Sequence, residues 1–240
     1  MNIGYERIAP TPVYPAGLTA AGLSAIPWSP GNVDVKTFKA SIKTALREAQ
    51  NGRCCYCRRM LSDVMTTHLE HFVEQSVHRW LTYEIQNLAL SCPTCNSKKN
   101  ASFSKLGARL SRIASSKTGV RVKVKRAPAL VAPLAENDPL PTISSAYRWV
   151  HPHFDNFSDH IDIKKGWIFT WSSKKGQLTI KGMELNALAQ IERRALSERM
   201  AARSGGLSIL LGGLAELNHA NAKDVCAAIA TELRRRAAKL

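Results

Sequence analysis

The chain of 240 residues is 45% hydrophobic, which is enough for one substantial core and a smaller module. Its net charge of +16 at pH 7 favours a polyanionic partner, because a strongly basic surface attracts nucleic acid or an anionic membrane surface. No run of about 18 apolar residues occurs, which excludes a membrane-spanning helix, and the first 30 residues lack the pattern of a secretory signal. We therefore expect a cytoplasmic protein with no membrane partner, whose six cysteines stay reduced.

The first half of the chain predicts an irregular arm followed by a helix and a compact module. Several prolines among small residues mark residues 1–33 as the arm. From Asp34 to Gln50 apolar residues recur at helical spacing, with Asp34 suited to the N-cap and Asn51-Gly52 to the C-terminal stop. We expect this helix and a basic extension to belong to one module, residues 34–126.

The basic extension has charges of one sign only. No acidic residue lies between Glu84 and Glu136, although ten lysines and arginines do. A solvated surface usually mixes both signs, so this segment favours contact with phosphates over a merely solvated face. Apolar residues at 106, 110 and 113 follow helical spacing, and valines at 120, 122 and 124 alternate as in a strand. The predicted nucleic-acid contacts are Lys98, Lys99, Lys105, Arg109 and Arg112.

The second half predicts a linker and an accessory region. Residues 127–142 are rich in proline and resemble a linker, and residues 143–240 follow as the accessory region. Two lysine-glycine pairs, Lys165-Gly166 and Lys175-Gly176, are interpreted as turns between short strands. The predicted elements are strands His160–Ile163, Trp167–Trp171 and Leu178–Ile180, and helices Glu184–Arg203 and Lys223–Lys239.

Four cysteines form two knuckles with the spacing of a metal site. Cys54-x-x-Cys57 and Cys92-x-x-Cys95 are separated by 34 residues, and a two-residue gap lets both sulfurs of a knuckle face one ion. A structural Zn²⁺ is therefore predicted, with unmetallated buried thiols or a redox pair as the alternatives. Cys55 and Cys226 are interpreted as small buried apolar residues and not as ligands.

The residues between the two knuckles carry a recognisable series of motifs. Within Cys54–Asn100 these motifs are Cys-x-Tyr-Cys, Glu-His-Phe, Asn-Leu-x-Leu-Ser-Cys and Cys-Asn-x-x-Lys. The segment resembles the HNH endonuclease family, in the subgroup whose ββα-metal fold is clamped by a Cys₄ zinc. The resemblance implies an α+β protein in which this module is flanked by helices and by a small C-terminal region of strands and helices.

The resemblance also implies a role for each matching residue. Glu70 would ligate a divalent metal, Mg²⁺ or Mn²⁺, and His71 would be the general base. Asn87 would hold the loop that carries His71. Asn96 would be the second metal ligand, and Asn100, one helical turn later, a third or water-mediated one.

Physical chemistry supports these roles independently. Phosphodiester cleavage needs an aimed nucleophile and a cation that offsets charge on the departing oxygen. A histidine is partly unprotonated near neutral pH, and carboxylate and amide oxygens suit Mg²⁺ or Mn²⁺. His68 is interpreted as structural or as an auxiliary ligand, and His78 as packed. One departure is that many relatives carry Pro-Lys where this chain has Glu74-Gln75.

A second, less specific resemblance covers the region after the predicted linker. The series that begins with His151-Pro152-His153-Phe154-Asp155 is similar to the region after the HNH core in nucleases of Septu-type and retron-linked anti-phage systems. It implies a role in antiviral defence and an ATPase partner protein. We interpret His151, His153 and His160 as a structural hydrogen-bonding cluster and not as a second metal site.

The leading hypothesis is a metal-dependent endonuclease that hydrolyses phosphodiester bonds, with double-stranded DNA as the expected substrate. A zinc-stabilised subunit that binds nucleic acid without turnover, an RNA-cleaving nuclease, and a structural subunit that docks an acidic partner are the alternatives. Only Glu70-His71 and the spaced asparagines separate the first from the non-catalytic ones.

Overall fold

The protein is described by a computed structural model that covers residues 4–29, 31–61, 67–101 and 129–192, with isolated positions between 223 and 231. The described residues contain two small two-stranded sheets and several helices. The predicted mixture of helices and strands is therefore confirmed. The elements are α1 (Ala20–Ser24), α2 (Val33–Ala49), β1 (His68–His71), β2 (Leu88–Ser91), α3 (93–101), β3 (Ile161–Lys164), β4 (Ile168–Trp171) and α4 (Lys174–Gly182).

Helix α2 forms where the apolar spacing predicts it and buries one face completely. Val35, Phe38, Ile42 and Leu46 are its buried residues, three or four positions apart. The N-cap is Asn32, whose side-chain oxygen accepts a hydrogen bond from the Val35 amide at 3.1 Å. The prediction that Asp34 is the cap is therefore wrong, and Asp34 lies in the first turn, where its charge suits the helix dipole.

Strands β1 and β2 and helix α3 form the predicted ββα unit. Strands β1 and β2 pair antiparallel, with His71 opposite Leu88 and His68 opposite Ser91. Helix α3 begins two residues after β2 ends. The buried side chain of Gln50, next to the end of α2, donates to the Leu90 carbonyl at 3.0 Å and accepts from the Leu90 amide at 2.7 Å. These two hydrogen bonds fix α2 against β2.

The second sheet is a hairpin that packs on α4. Strands β3 and β4 confirm two of the predicted strands, and Gly166 and Trp167 form the turn with positive φ values of 84° and 63°. The predicted strand Leu178–Ile180 is wrong, because these residues lie inside α4. Ser173 caps that helix by accepting from the Gly176 amide at 3.0 Å, so Lys175-Gly176 is its first turn and not a loop.

The final predicted helices are described only in part. Glu184 has φ of 50° and lies in a turn, so the helix predicted to begin there begins at residue 188 and is described as far as 192. Its remaining length lies outside the described residues. The isolated described positions from 223 to 231 are helical, within the predicted range Lys223–Lys239.

The two halves of the chain share one buried core. The ring of Phe72 lies 5.7 Å from that of Tyr147 and 4.3 Å from that of His151, measured between centroids. His153 Nε2 lies 2.8 Å from the Leu88 carbonyl oxygen, which ties the second half to β2. Leu130, within the segment predicted as a linker, is also buried in this core. The division into an arm, a module, a linker and an accessory region remains a prediction.

The N-terminal arm also contributes to the core. Tyr5, Ile8 and Leu23 are buried, and the Ile8 amide donates to the Pro152 carbonyl at 2.8 Å. Among the described residues we find no helix with the length and hydropathy needed to cross a membrane.

Candidate functional site

The four knuckle cysteines converge at one buried point. The sulfurs of Cys54, Cys57, Cys92 and Cys95 all lie within 4.8 Å of one another, and all four residues are buried. The Cys57 and Cys92 sulfurs are 3.9 Å apart. Ligand sulfurs about 2.3 Å from a tetrahedral zinc are about 3.8 Å from each other, so this group fits a zinc ion. The four cysteines could therefore bind one.

The electrostatics of the thiols agree with a cation at their centre. Burial raises the pKa of Cys54 well above its usual range, so thiolates at this position need a nearby positive charge. Two backbone amides already point at the sulfurs, since Cys92 N lies 3.3 Å from Cys54 Sγ and Cys95 N lies 3.4 Å from Cys92 Sγ. Four thiolates would complete the shell and leave no position for water.

The two remaining cysteines differ from each other. Cys55 is buried, as predicted, and does not belong to the converging group. Cys226 is exposed, so its interpretation as a buried apolar residue is wrong.

His71 is the last residue of β1, and its ring is held from one side. Nε2 lies 2.9 Å from the Thr82 carbonyl oxygen, so this nitrogen carries the proton and donates. Nδ1 has no hydrogen-bond partner among the described residues and is left as the acceptor. Burial lowers the pKa of His71 to about 4, although the Thr82 carbonyl opposes this effect, and the ring is therefore neutral at pH 7. The indole of Trp28 packs against it edge-on, 4.7 Å between centroids.

Asn87 joins the two segments that surround His71. Its Oδ1 accepts from the Val73 amide at 2.7 Å, and its Nδ2 donates to the Val73 carbonyl at 2.9 Å and to the Leu81 carbonyl at 3.1 Å. Val73 lies two residues after His71, and Leu81 lies one before the Thr82 carbonyl that holds the ring. The side chain is fully buried, so each of its polar atoms has a partner.

Glu70 precedes His71 and is paired with a buried lysine. The ammonium of Lys99, whose side chain is 1% exposed, lies 2.5 Å from Glu70 Oε1 and also donates to the His71 carbonyl oxygen. Burial alone would lower the pKa of Lys99, but the carboxylates of Glu70 and Glu74 raise it above its ordinary value. Lys99 is therefore a permanent cation that fixes the end of β1 to α3.

Glu74 is a second buried carboxylate in the same group. Its Oε1 lies 3.1 Å from Lys99 Nζ, an ion pair without the alignment of a hydrogen bond, and Oε2 is buried with no partner among the described residues. Burial raises the pKa of Glu74 to about 7, although Lys99 opposes this effect. One ammonium thus faces two carboxylates.

Asn96 is oriented by a histidine of β1. Its side-chain nitrogen donates to Nδ1 of His68 at 2.7 Å, which leaves its amide oxygen available as a ligand atom. Asn100 lies one turn further along α3 and is exposed. His68 is also exposed, and its ring orients the Asn96 side chain from the solvent side.

One open pocket of about 270 Å³ brings the predicted residues together. Glu70, His71, Asn96 and Asn100 all line it. A larger pocket of about 510 Å³ shares Trp28 with it and continues to Arg79 and Tyr83. The arrangement brings a neutral imidazole, oxygen donors and room for a phosphate into one place.

The predicted nucleic-acid contacts are placed unevenly. Lys98 is partly exposed and pairs with Glu184 on the surface. Lys99 is buried in the carboxylate group, so contact with a phosphate would require it to break two ion pairs. Lys105, Arg109 and Arg112 lie outside the described residues, as do the helix and strand predicted for the basic extension. His78 is buried against Trp80, in agreement with its interpretation as packed.

Sequence reasoning missed two side chains of the pocket around His71 and gave a third a different role. Trp28 comes from the arm, more than forty residues before His71, and no local pattern places it there. Glu74 stood out in the sequence only as a departure from the family pattern. Lys99 was predicted as a nucleic-acid contact, although its position three residues after Asn96 on the same helix face also fits the pocket.

Comparison with known proteins agrees with this geometry. The model of the family described as HNH endonuclease matches residues 54–102. Septu protein PtuB of Bacillus thuringiensis is 37% identical over 68 residues, which are 28% of this chain and 26% of that relative, so the match spans about a quarter of the relative's length. No solved structure matches the chain. Residues 54–102 therefore form a domain of the HNH endonuclease family, built as a ββα unit beside a cysteine group that fits zinc.

Proposed function

We propose that this protein is a metal-dependent endonuclease that hydrolyses phosphodiester bonds of double-stranded DNA. His71 is the general base, Asn87 positions it, and Glu70 and Asn96 hold a Mg²⁺ or Mn²⁺ ion, with Asn100 as a third or water-mediated ligand. The observation that carries the proposal is the open pocket in which an anchored imidazole, a carboxylate and an amide oxygen meet, separate from the closed cysteine group.

The contacts of His71 fit the work of a base. Because Nε2 donates to the Thr82 carbonyl, the neutral ring presents Nδ1 as its proton acceptor. A water molecule in the pocket can give a proton to Nδ1 and attack phosphorus as it does so. Asn87 keeps the Val73 and Leu81 segments at a fixed separation, so the ring does not rotate away from this position.

The donor set around the pocket fits a hard divalent cation. Glu70 offers Oε2, which has no hydrogen bond among the described residues, and Asn96 offers its amide oxygen. When bound, such an ion would offset the charge that develops on the phosphate and the departing oxygen. Lys99 keeps the Glu70 carboxylate in a single orientation.

The neighbouring pocket supports a nucleic-acid substrate. Its lining includes Trp28 and the exposed Arg79, and Trp28 also lines the pocket around His71. An arginine and an aromatic ring are the side chains that bind phosphates and bases. Together with the net charge of +16, they favour a nucleic acid over a small phosphodiester.

A role in antiviral defence extends the proposal. It rests on the likeness to Septu protein PtuB and on the resemblance of the second half to nucleases of such systems. We infer a cytoplasmic effector that works with an ATPase partner protein. Purification of the tagged chain from its native host, with and without phage infection, should recover an ATPase; recovery of the chain alone under both conditions would contradict this part.

The enzymatic proposal is tested by incubating purified protein with plasmid DNA and Mg²⁺ or Mn²⁺. We expect cleavage of the plasmid, and we expect chelation of the added ion to abolish it. The cleavage rate should decrease by about 10² to 10⁴-fold in the variant His71→Ala, since a positioned base contributes that much. The variant His160→Ala removes a histidine outside the pocket and is the matched control.

The outcomes separate the alternatives. Equal cleavage by wild type and His71→Ala would contradict the catalytic assignment. DNA binding without cleavage by any form would identify a non-catalytic binding subunit. Cleavage of RNA and not of DNA, with the same dependence on His71, would identify RNA as the substrate and leave the proposed mechanism unchanged.

A further inference from the structure

The carboxylate of Glu74 is the one buried charge of the pocket that the proposed roles leave unexplained. The residue is 9% exposed and lines the pocket with Glu70, His71 and Asn96. Its Oε2 has no hydrogen-bond partner among the described residues, and Oε1 meets only the Lys99 ammonium. A buried carboxylate without donors is costly, so such an oxygen indicates a missing positive partner.

Charge balance points to the nature of that partner. When both carboxyl groups are ionised, Lys99 is shared between Glu70 and Glu74 and neutralises one of the two, so the group then carries one excess negative charge. A divalent cation reverses the excess to a single positive charge, and the negative phosphate of a bound diester then brings the total to zero. Neither sodium nor a further ammonium gives this balance.

We propose that Glu74 is a further ligand of the divalent cation in this pocket, beside Glu70 and Asn96. Lys99 is the positioning residue of the pair, because its ammonium contacts Oε1 of each carboxylate and leaves Oε2 of each for the ion. The inference rests on the proposed function and deepens it. It also gives the site two carboxylates, a harder ligand set than one carboxylate with amides.

The test measures binding of Mn²⁺ to the zinc-loaded full chain, by the loss of the free Mn²⁺ signal in electron paramagnetic resonance. We expect Glu74→Gln to bind Mn²⁺ at least about tenfold more weakly than wild type, since loss of even an outer-shell partner has effects of that size. Glu48→Gln, the same change on the exposed face of α2, should bind as wild type does. Zinc content should be equal in all three proteins.

A purely structural role predicts the opposite pattern. If Glu74 served only as counter-ion to Lys99, Glu74→Gln would keep the Mn²⁺ affinity of wild type and would melt at a lower temperature without Mn²⁺. That result overturns the inference. We expect instead that the melting temperature without Mn²⁺ is not lowered, and that the rise on adding Mn²⁺ is smaller than in wild type.

Glu70→Gln separates this inference from the proposed function. Weaker binding in Glu70→Gln with unchanged binding in Glu74→Gln overturns the role of Glu74 and leaves the metal site in place. A wild-type protein that binds no Mn²⁺ overturns both. If Glu74→Gln does not fold, Glu74→Asp keeps the charge and withdraws the oxygens, and unchanged Mn²⁺ affinity in that variant also overturns the inference.

Discussion

Two sites lie in the HNH domain, and they differ in burial and in the chemistry of their donor atoms. The cysteine group is closed, with four soft sulfur donors that are all buried. The pocket beside it is open and is lined by oxygen and nitrogen donors of Glu70, His71 and Asn96. A closed tetrahedral shell holds chain segments together, whereas an open one leaves room for water and substrate.

Neighbouring residues of the sequence serve the two sites separately. Cys95 and Asn96 are adjacent at the start of α3, yet one faces the closed group and the other lines the pocket. Successive helical residues point about 100° apart, so a single helix start can serve both sites. Any change in the cysteine group should therefore disturb the pocket, while a change in the pocket should leave the cysteine group intact.

The largest expected effect comes from opening the closed site. Cys92→Ser should lose zinc and cooperative melting, because a structural zinc contributes on the order of ten kcal/mol to folding. Cys55→Ser alters a buried thiol outside the group and should keep both. Elemental zinc content and circular dichroism during heating measure these effects. A zinc-free Cys92→Ser protein that melts like wild type would contradict the structural role of the zinc.

A second effect concerns His153, which ties the second half of the chain to β2. Burial lowers the pKa of His153 to about 4, so the unfolded chain, with a histidine pKa of about 6.5, binds one more proton between these values. This contribution to stability is complete above pH 6.5 and is lost as the pH falls towards 4, by about 3 kcal/mol. His153→Gln should lose less stability than wild type between pH 6.5 and 5. Equal slopes of unfolding free energy against pH would contradict the buried neutral ring.

A third, smaller effect concerns Asn87, whose side chain clamps the Val73 and Leu81 segments around His71. Asn87→Ala leaves three backbone groups of Val73 and Leu81 without partners, which should destabilise the protein by about 2 to 3 kcal/mol and lower cleavage in the surviving folded fraction. Asn156→Ala removes an exposed asparagine and should change stability by less than about 0.5 kcal/mol. Denaturant unfolding measures both. Full activity in folded Asn87→Ala would show that the clamp does not position the base.

The smallest effect concerns Arg79, which lines the larger neighbouring pocket. Arg79→Ala should weaken DNA binding and reduce the slope of log affinity against log salt by about 1, since one phosphate contact is lost. Lys165→Ala, an exposed lysine in the turn between β3 and β4, should leave the slope unchanged. Fluorescence anisotropy at several salt concentrations provides the measurement. Equal slopes for the two variants would place the DNA elsewhere.

The parts of the fold that follow local rules could be predicted from the sequence. The cysteine group and helix α2 follow from residue spacing, the ββα order follows from the resemblance to the HNH family, and the structure places all three accordingly. Leu178–Ile180 could not be told from a strand, because three apolar or β-branched residues suit both and only the Ser173 cap decides. The cap of α2 was misplaced by two residues for a similar reason, since Asn32 and Asp34 are equally good caps.

The parts of the site that depend on distant residues could not be predicted. Trp28 reaches His71 from the arm, and the Thr82 carbonyl that anchors the ring is a backbone atom without a sequence signature. Lys99 was expected on the surface as a phosphate contact, because a lysine in a basic run is usually exposed. Its burial follows from its partners, the carboxylates of Glu70 and Glu74 and the carbonyl of His71.

We propose that the closed cysteine group holds the fold and that the open pocket carries out the hydrolysis. Brief chelation of the purified protein, followed by zinc analysis, circular dichroism and a plasmid cleavage assay, tests this division of roles. We predict one tightly held zinc per chain, an unchanged spectrum, no cleavage, and recovery of cleavage on addition of Mg²⁺ or Mn²⁺. Cleavage by protein that holds zinc alone, or recovery only when zinc is returned to a depleted chain, would contradict the division between the two sites.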